Sequence, residues 1–386
     1  MKAAALWLMI GLGAITHGQI RRTEISTTSD QTEVLQALIA APEPMNAREI
    51  GAWQLICSGI LEGNDVFVKE DIFSFGGQAG IAPKLSWSNE ALCLQFVAPR
   101  GGESTVARLV ESLLSNLKLD DERLQMLRAR LAAPLPDDWS ARLMGERGDL
   151  SIPTEFVQRF ADRALRPENL ILVGTAGTLK ATEGRFQDWR PRRVSPDIRV
   201  TNSALFRGPD NAKTMALVAG PFRPSTSEAA TCLAMVALGG GKSALLHQVL
   251  RESKGWTYRQ EALLRPETAG WRPMIVIQST ESLPTRTEVV QALMDATDKI
   301  STIDLERFKT LAGSAIDGFN PMSPFRFFET YQGTPQHRAT WMAFATLWGT
   351  QNTTPESLLS DCKRVTLDEL KDAIKKLLGQ LMDRDP

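Results

Sequence analysis

Two side chains in the second half of the chain could hold a peptide. Arg251 carries a guanidinium and Tyr258 a phenol, and both groups donate hydrogen bonds to a carbonyl oxygen or to an oxyanion that forms on it. Taken alone, the pair favours a structural interpretation, in which Arg251 caps a helix end and Tyr258 packs beside a strand. The neighbouring glycine run, helix pattern and Lys-Gly turn favour the functional interpretation instead.

The passage from Leu238 to Tyr258 resembles the glycine loop, helix and Arg-x6-Tyr segment of the pitrilysin/insulinase peptidases. In that family the Arg and Tyr grip the substrate opposite a zinc ion held by H-x-x-E-H in the other half. The resemblance implies an unfolded peptide as ligand. It also implies a substrate-binding set in this chain, formed by Arg251, Tyr258, Gly239, Gly240 and Gly241.

The zinc motif itself is missing. The chain has three histidines, His17, His247 and His337, so no H-x-x-E-H can be written. Alignment on the family's landmarks places Gln54 and Ser58 at the two histidines and Cys57 at the general base. The family's third ligand would fall at 126–130, where no Glu occurs. The resemblance therefore implies no metal and no catalytic residue in this chain, and zinc in a partner.

Cys57 leaves two alternatives open. Zinc takes imidazole, thiolate or carboxylate ligands, so Cys57 could still hold a different metal, although a helix packed into the core is the favoured interpretation. A disulfide from Cys57 to Cys93 is the second alternative, which the family fold makes conceivable. The four cysteines have no C-x-x-C spacing, which argues against a zinc knuckle.

Residues 1–18 have the pattern of a secretory signal peptide, with Lys2 before a short apolar run and small residues before Gln19. We therefore expect an exported protein of the periplasm or the exterior, with a retained anchor as the alternative. No later stretch has the twenty apolar residues of a membrane span. A net charge of -1 gives no reason to expect a nucleic-acid partner.

The order strand, helix, hairpin, helix, helix occurs twice after the signal. This pattern predicts an α+β fold of two related domains, each an antiparallel sheet with helices packed on one face. We place the first domain, which lacks the zinc motif, at 19–188 and the second at 198–386. The Pro- and Arg-rich stretch 189–197 is the predicted linker.

Other kinds of site have weaker support. Gly241-Lys242-Ser243 imitates the end of a phosphate-binding loop, but Val236 stands where that loop needs Gly. No G-x-S-x-G is present, which argues against a serine hydrolase. We expect the scattered tryptophans to form core or chamber wall rather than a carbohydrate platform; they include Trp53, Trp87, Trp271 and Trp341.

Two hypotheses about function follow. In the first, the chain is inactive alone and lends Arg251 and Tyr258 to a homologous zinc-bearing subunit, so that the heterodimer is a metallopeptidase. In the second, the chain is a degenerate structural or peptide-binding protein with no proteolytic role. The sequence does not identify the substrate or the partner.

Overall fold

The computed structural model describes residues 20–25, 32–42, 45–64, 66, 69–78, 80–132, 147–186, 189, 213–239, 241–316 and 335–382. The predicted signal peptide lies outside these residues, as does the predicted linker apart from Trp189.

The first half contains five strands and six helices among its described residues. The strands are β1 Arg21–Glu24, β2 Thr32–Ala40, β3 Ala82–Trp87, β4 Ala91–Pro99 and β5 Leu170–Gly174. The helices are α1 Ala47–Gly59, α2 Lys69–Gln78, α3 Glu103–Ser115, α4 Asp121–Ala132, α5 Thr154–Ala164 and α6 Ala176–Ala181. Gly77 lies in the last turn of α2, and the chain then turns at Gly80 with φ +68°.

The strands of this half form one sheet in the order β1-β5-β2-β4-β3. β2 pairs antiparallel with both β4 and β5, whereas the short edge strand β1 runs parallel to β5. Side chains alternate between the two faces of a strand. On β2, Leu35, Ala37 and Ile39 therefore join one apolar cluster, and Val34 and Leu38 join another.

The second half contains the strands β6 Thr214–Val218, β7 Arg259–Glu267 and β8 Gly270–Gln278. They form an antiparallel sheet in the order β6-β8-β7. The described α-helices are α7 Ala229–Gly239, α8 Arg286–Asp298, α9 Thr302–Ile316, α10 Pro335–Trp348, α11 Pro355–Arg364 and α12 Leu367–Met382. A π-helical segment, Leu246–Ser253, connects α7 to β7.

Local sequence signals account for several helix starts. Asn46 begins α1 with a capping box, in which its side chain accepts from the N–H groups of Arg48 and Glu49 and Glu49 bonds back to the Asn46 N–H. Thr285 and Glu288 make the same motif at α8. Such caps stabilise a helix by about 1 kcal/mol each.

Two apolar clusters hold the molecule together. The first lies between one face of the first sheet and helices that include α1, α3 and α5. The second takes in the other face of that sheet, the second sheet and helices α7 to α12. Helix α10 is the element of the second half that packs directly on β2 and β5. The two halves therefore share a core.

The structure confirms the predicted α+β class. It adds two features that the sequence pattern did not suggest: the parallel pair β1 and β5, and the cover that α10 gives to the second face of the first sheet. Trp53, Trp271 and Trp341 are buried in the core, as predicted. No helix among the described residues is both long enough and apolar enough to span a bilayer.

Candidate functional site

Arg251 and Tyr258 lie side by side on the surface of the second half. Arg251 is in the last turn of the π-helical segment, and Tyr258 is the residue before β7. The Arg251 Nη1 donates to the backbone oxygen of Tyr258 over 2.8 Å, and the Tyr258 N–H donates to Gln278 O over 3.0 Å. The side chain of Tyr258 is 45% exposed, and Arg251 is exposed.

In this arrangement Arg251 can stabilise the local structure and also bind a ligand. Its bond to Tyr258 O ties the π-helical segment to the start of β7. Within the described residues that bond occupies one of the five N–H donors of the guanidinium. Donors therefore remain for a peptide carbonyl, and the exposed Tyr258 carries a further donor in its phenol.

A polar chain that we did not predict fixes the π-helical segment against β7. The Gln260 amide donates to Nδ1 of His247 over 3.0 Å, which leaves Nε2 of that ring, 3.1 Å from Glu252 Oε1, to carry the proton. Thr257 Oγ1 donates to Gln260 Oε1 over 3.0 Å. His247 and Glu252 are five residues apart, the spacing that a π-helical turn brings together and an α-helix does not. The five-residue spacing of His247 and Glu252 would have predicted this contact only if the π-helix had been known beforehand.

The glycine run is explained largely by packing. A Cβ on Gly239 would lie 2.5 Å from the Cβ of Ala262, so only glycine lets the end of α7 approach β7 this closely. Gly241 has φ +87°, in the left-handed region that favours glycine. Gly240 lies outside the described residues. At Gly239 the structure therefore shows a packing role against β7, in addition to the substrate contact that the resemblance implied.

The positions aligned with the zinc motif are taken up by contacts within the chain. Gln54 is buried, donating to Asn89 Oδ1 over 2.9 Å and accepting from the Gly148 N–H over 3.1 Å. Cys57 is fully buried, and burial, followed by nearby Cys93, raises the pKa of its thiol well above the usual value. A protonated thiol is a poor metal ligand. Ser58, the next residue, is partly buried.

The segment 147–150 lies across helix α1 at this point. Asp149 N–H donates to Ala47 O over 2.8 Å. A Cβ on Gly51 would lie 1.9 Å from Asp149 O, and one on Gly148 would lie 2.0 Å from Gly51 N. The two backbones are therefore in direct contact through a pair of glycines, and Gln54 holds the same segment from one turn further along α1.

Helix α4, which carries positions 126–130, secures this segment from the other side. Arg128 donates from Nε to Leu150 O over 2.9 Å and from Nη2 to Ile152 O over 2.6 Å. Arg130 pairs with Glu62 at 2.5 Å. Among the residues that the structure describes, no group of three or more His, Cys, Asp or Glu side chains could hold a metal ion.

The Cys57 to Cys93 bridge does not fit this geometry. Cys57 belongs to the cluster on the α1 face of the first sheet, and Cys93 to the cluster on the opposite face. Both cysteines are free thiols here. The first sheet therefore lies between the two side chains.

Comparison with solved structures identifies the architecture. A protease from Helicobacter pylori superposes with a TM-score of 0.71 at 9% identity, over 93% of this chain and 94% of that one. The peptidase M16 inactive domain from Pseudomonas fluorescens superposes with a TM-score of 0.68 at 14% identity, over 92% and 91%. The chain has the fold of an M16 peptidase. No family model and no curated protein matches its sequence.

This likeness confirms, at the level of fold, the resemblance read from the Leu238–Tyr258 passage. It spans both halves of the chain. The structure brings Arg251 and Tyr258 together, whereas the Gln54, Cys57 and Ser58 positions belong to the other half.

Proposed function

We propose that this M16-like chain is the non-catalytic subunit of a two-chain zinc peptidase. Its partner would be a homologous subunit that carries the zinc motif, and the substrate an unfolded peptide. Arg251 and Tyr258 would donate hydrogen bonds to the peptide carbonyl and to the oxyanion formed at the partner's zinc. The signal-like residues 1–18 place this activity, in the proposal, in the periplasm or outside the cell.

One observation supports the proposal most: an exposed Arg–Tyr donor pair stands on a fold whose zinc-motif positions are filled by the chain's own contacts. A chain of that kind can offer transition-state donors without metal chemistry of its own. The second hypothesis is a purely structural or peptide-binding protein. The bond between Arg251 and Tyr258 O supports it, because that bond gives Arg251 a structural role that needs no substrate.

The phenol of Tyr258 separates these two hypotheses cleanly. Tyr258→Phe removes the O–H group but keeps the backbone oxygen that Arg251 binds. In the complex co-expressed with a zinc-bearing homologue, we expect kcat on an unstructured peptide to fall on the order of 10²-fold, with assembly unchanged by size exclusion.

Arg307→Ala, an exposed arginine on α9, is the matched control and should leave kcat unaltered. If Tyr258→Phe and the control have equal rates, the donor role is wrong. If no active complex forms with any zinc-bearing homologue, the structural hypothesis stands.

Metal content is the second test. The subunit purified alone should contain no stoichiometric zinc, because Gln54 and Cys57 are buried and the described residues hold no group of three or more His, Cys, Asp or Glu side chains that could bind a metal ion. Elemental analysis of the purified chain measures this directly. One zinc per chain, lost in Cys57→Ala, would contradict the proposal.

A further inference from the structure

A cleft of about 430 Å³ lies where the two halves meet. Its walls come from β3 and β4 of the first sheet, from β7 and β8 of the second, and from α10. Its size falls within the range of small-molecule sites. Neither Arg251 nor Tyr258 belongs to its described lining, in which the residue of β7 nearest to Tyr258 along the chain is Leu263.

The polar floor of the cleft is a row of side chains across three strands. Lys84 on β3 is in register with Gln95 on β4, which is in register with Gln36 on β2. The Gln95 amide donates to Gln36 Oε1 over 2.7 Å and to Gln336 O over 2.8 Å. Lys84, at the edge of the row, is exposed to the cleft mouth.

The charges around the cleft are unbalanced. Its described lining includes Lys84, Arg265 and His337, and no Asp or Glu. Burial, followed by the positive charge of Lys84, lowers the pKa of His337, so this ring adds no positive charge of its own near neutral pH. Helix α10 begins at Pro335, so the N–H groups of its first turn add positive potential.

Arg265 contributes less to this potential. Its Nε lies 4.0 Å from Glu267, a carboxylate that also pairs with Arg272. Lys84 is thus the stronger candidate to bind an anion. The remaining wall is apolar; it includes Trp87, Leu263, Leu264, Pro266, Met274 and Phe344.

We propose that this cleft binds a small apolar monocarboxylate, with the carboxylate at Lys84 and the apolar body against Trp87 and the β7 wall. A carboxylate accepts charge-assisted hydrogen bonds from the Lys84 ammonium, and the apolar wall supplies burial for an alkyl or side-chain body. Two sources share this chemistry: a free aliphatic acid and the C-terminal residue of a peptide. Binding in this cleft requires neither the proposed partner nor zinc.

Isothermal titration calorimetry of the purified chain tests the proposal with four probes. Octanoate represents the aliphatic acid and N-acetyl-leucine the peptide end, while octan-1-ol and octylamine carry no negative charge. We expect at least one carboxylate to bind at least about tenfold more tightly than octan-1-ol and octylamine. Tighter binding of octanoate assigns the site to free acids, and tighter binding of N-acetyl-leucine assigns it to peptide ends.

Lys84→Gln should weaken carboxylate binding about tenfold, since it removes one charge-assisted partner. Lys376→Gln, the same change at an exposed position on α12, is the control and should bind like wild type. Circular dichroism confirms that both variants are folded. The proposal is overturned if neither carboxylate binds up to about 10 mM, if octan-1-ol binds as well as octanoate, or if the two lysine variants bind alike.

Discussion

Gln54 on helix α1 points into the molecule, whereas Arg251 and Tyr258 in the segment 251–258 are exposed to solvent. Gln54 is 6% exposed and bonded to Asn89 and Gly148, while Tyr258 is 45% exposed. Both regions are glycine-dependent, yet in opposite ways. Gly51 and Gly148 bring two backbones into contact over α1, and Gly241 turns the chain outward toward the π-helical segment. In the first region the polar side chain of Gln54 stabilises the fold through bonds within the molecule. In the second region Arg251 and Tyr258 remain accessible to a ligand.

Gly51 gives the largest expected effect. A Cβ there would meet the backbone oxygen of Asp149 at 1.9 Å, and backbone atoms cannot swing aside. We expect Gly51→Ala to destabilise the chain by about 3 kcal/mol in urea unfolding, although alanine is the better helix former.

The matched substitution is Gly379→Ala in α12, where a Cβ would meet nothing within 4 Å. It should stabilise the chain by about 1 kcal/mol. Equal effects of the two substitutions would show that segment 147–150 does not rest on α1.

The two halves also meet at a buried charge cluster. Thr268, in the β7–β8 turn, donates from its backbone N–H to Glu90 Oε2 over 2.9 Å, and Glu90 precedes β4. Glu267, the residue before Thr268, pairs with Arg272. Burial and then the charge of Glu90 raise the pKa of Glu267 to about 7, although Arg272 and Arg265 act in the opposite direction.

The pH dependence of stability follows from this shift. The folded-state pKa of Glu267 exceeds its ordinary value of 4.5. Its contribution to the free energy of unfolding is therefore present in full below about pH 4.5 and is lost as the pH rises through 7. We expect ionisation of Glu267 to lower the free energy of unfolding by about 2 kcal/mol between about pH 5.5 and pH 8.

Urea unfolding of wild type and Glu267→Gln at a series of pH values isolates that contribution, because the other titrating groups are common to both. The difference between the two curves should change by that amount over the interval. A pH-independent difference would mean that Glu267 is ionised throughout, held by its two arginines.

The sequence predicted much of the fold because most of its elements carry local signals. Strands β2 and β4 and helices α1, α3 and α8 follow apolar periodicity and capping residues, and belong to the order strand, helix, hairpin, helix, helix that was predicted for each half. Strand β5 and helix α10 were not predicted. Their places depend on pairing with β2, more than 130 residues away for β5, which no local pattern encodes.

The candidate site was predictable to a similar degree. Arg251 and Tyr258 were found because their spacing and neighbours form a motif. The contact of Gly51 with Gly148 was missed, since the two residues are almost a hundred positions apart and neither carries a signal of its own. The His247–Glu252 pair was missed because it depends on π-helical geometry.

Substitution of Arg251 has the smallest expected effect on stability, and it tests the role of the segment 251–258 directly. Its bond to Tyr258 O is made at the surface, where water replaces a lost partner on both sides. Arg251→Ala should therefore destabilise the isolated chain by about 1 kcal/mol, and Tyr258→Phe by less, since the phenylalanine keeps the ring and the backbone oxygen. Urea unfolding measures both. If Arg251→Ala costs several times this value, the guanidinium is chiefly a structural tie between the π-helical segment and β7. A loss near 1 kcal/mol leaves the folded chain intact at equilibrium, so that any fall in turnover of an assembled complex would report on the donor itself rather than on folding.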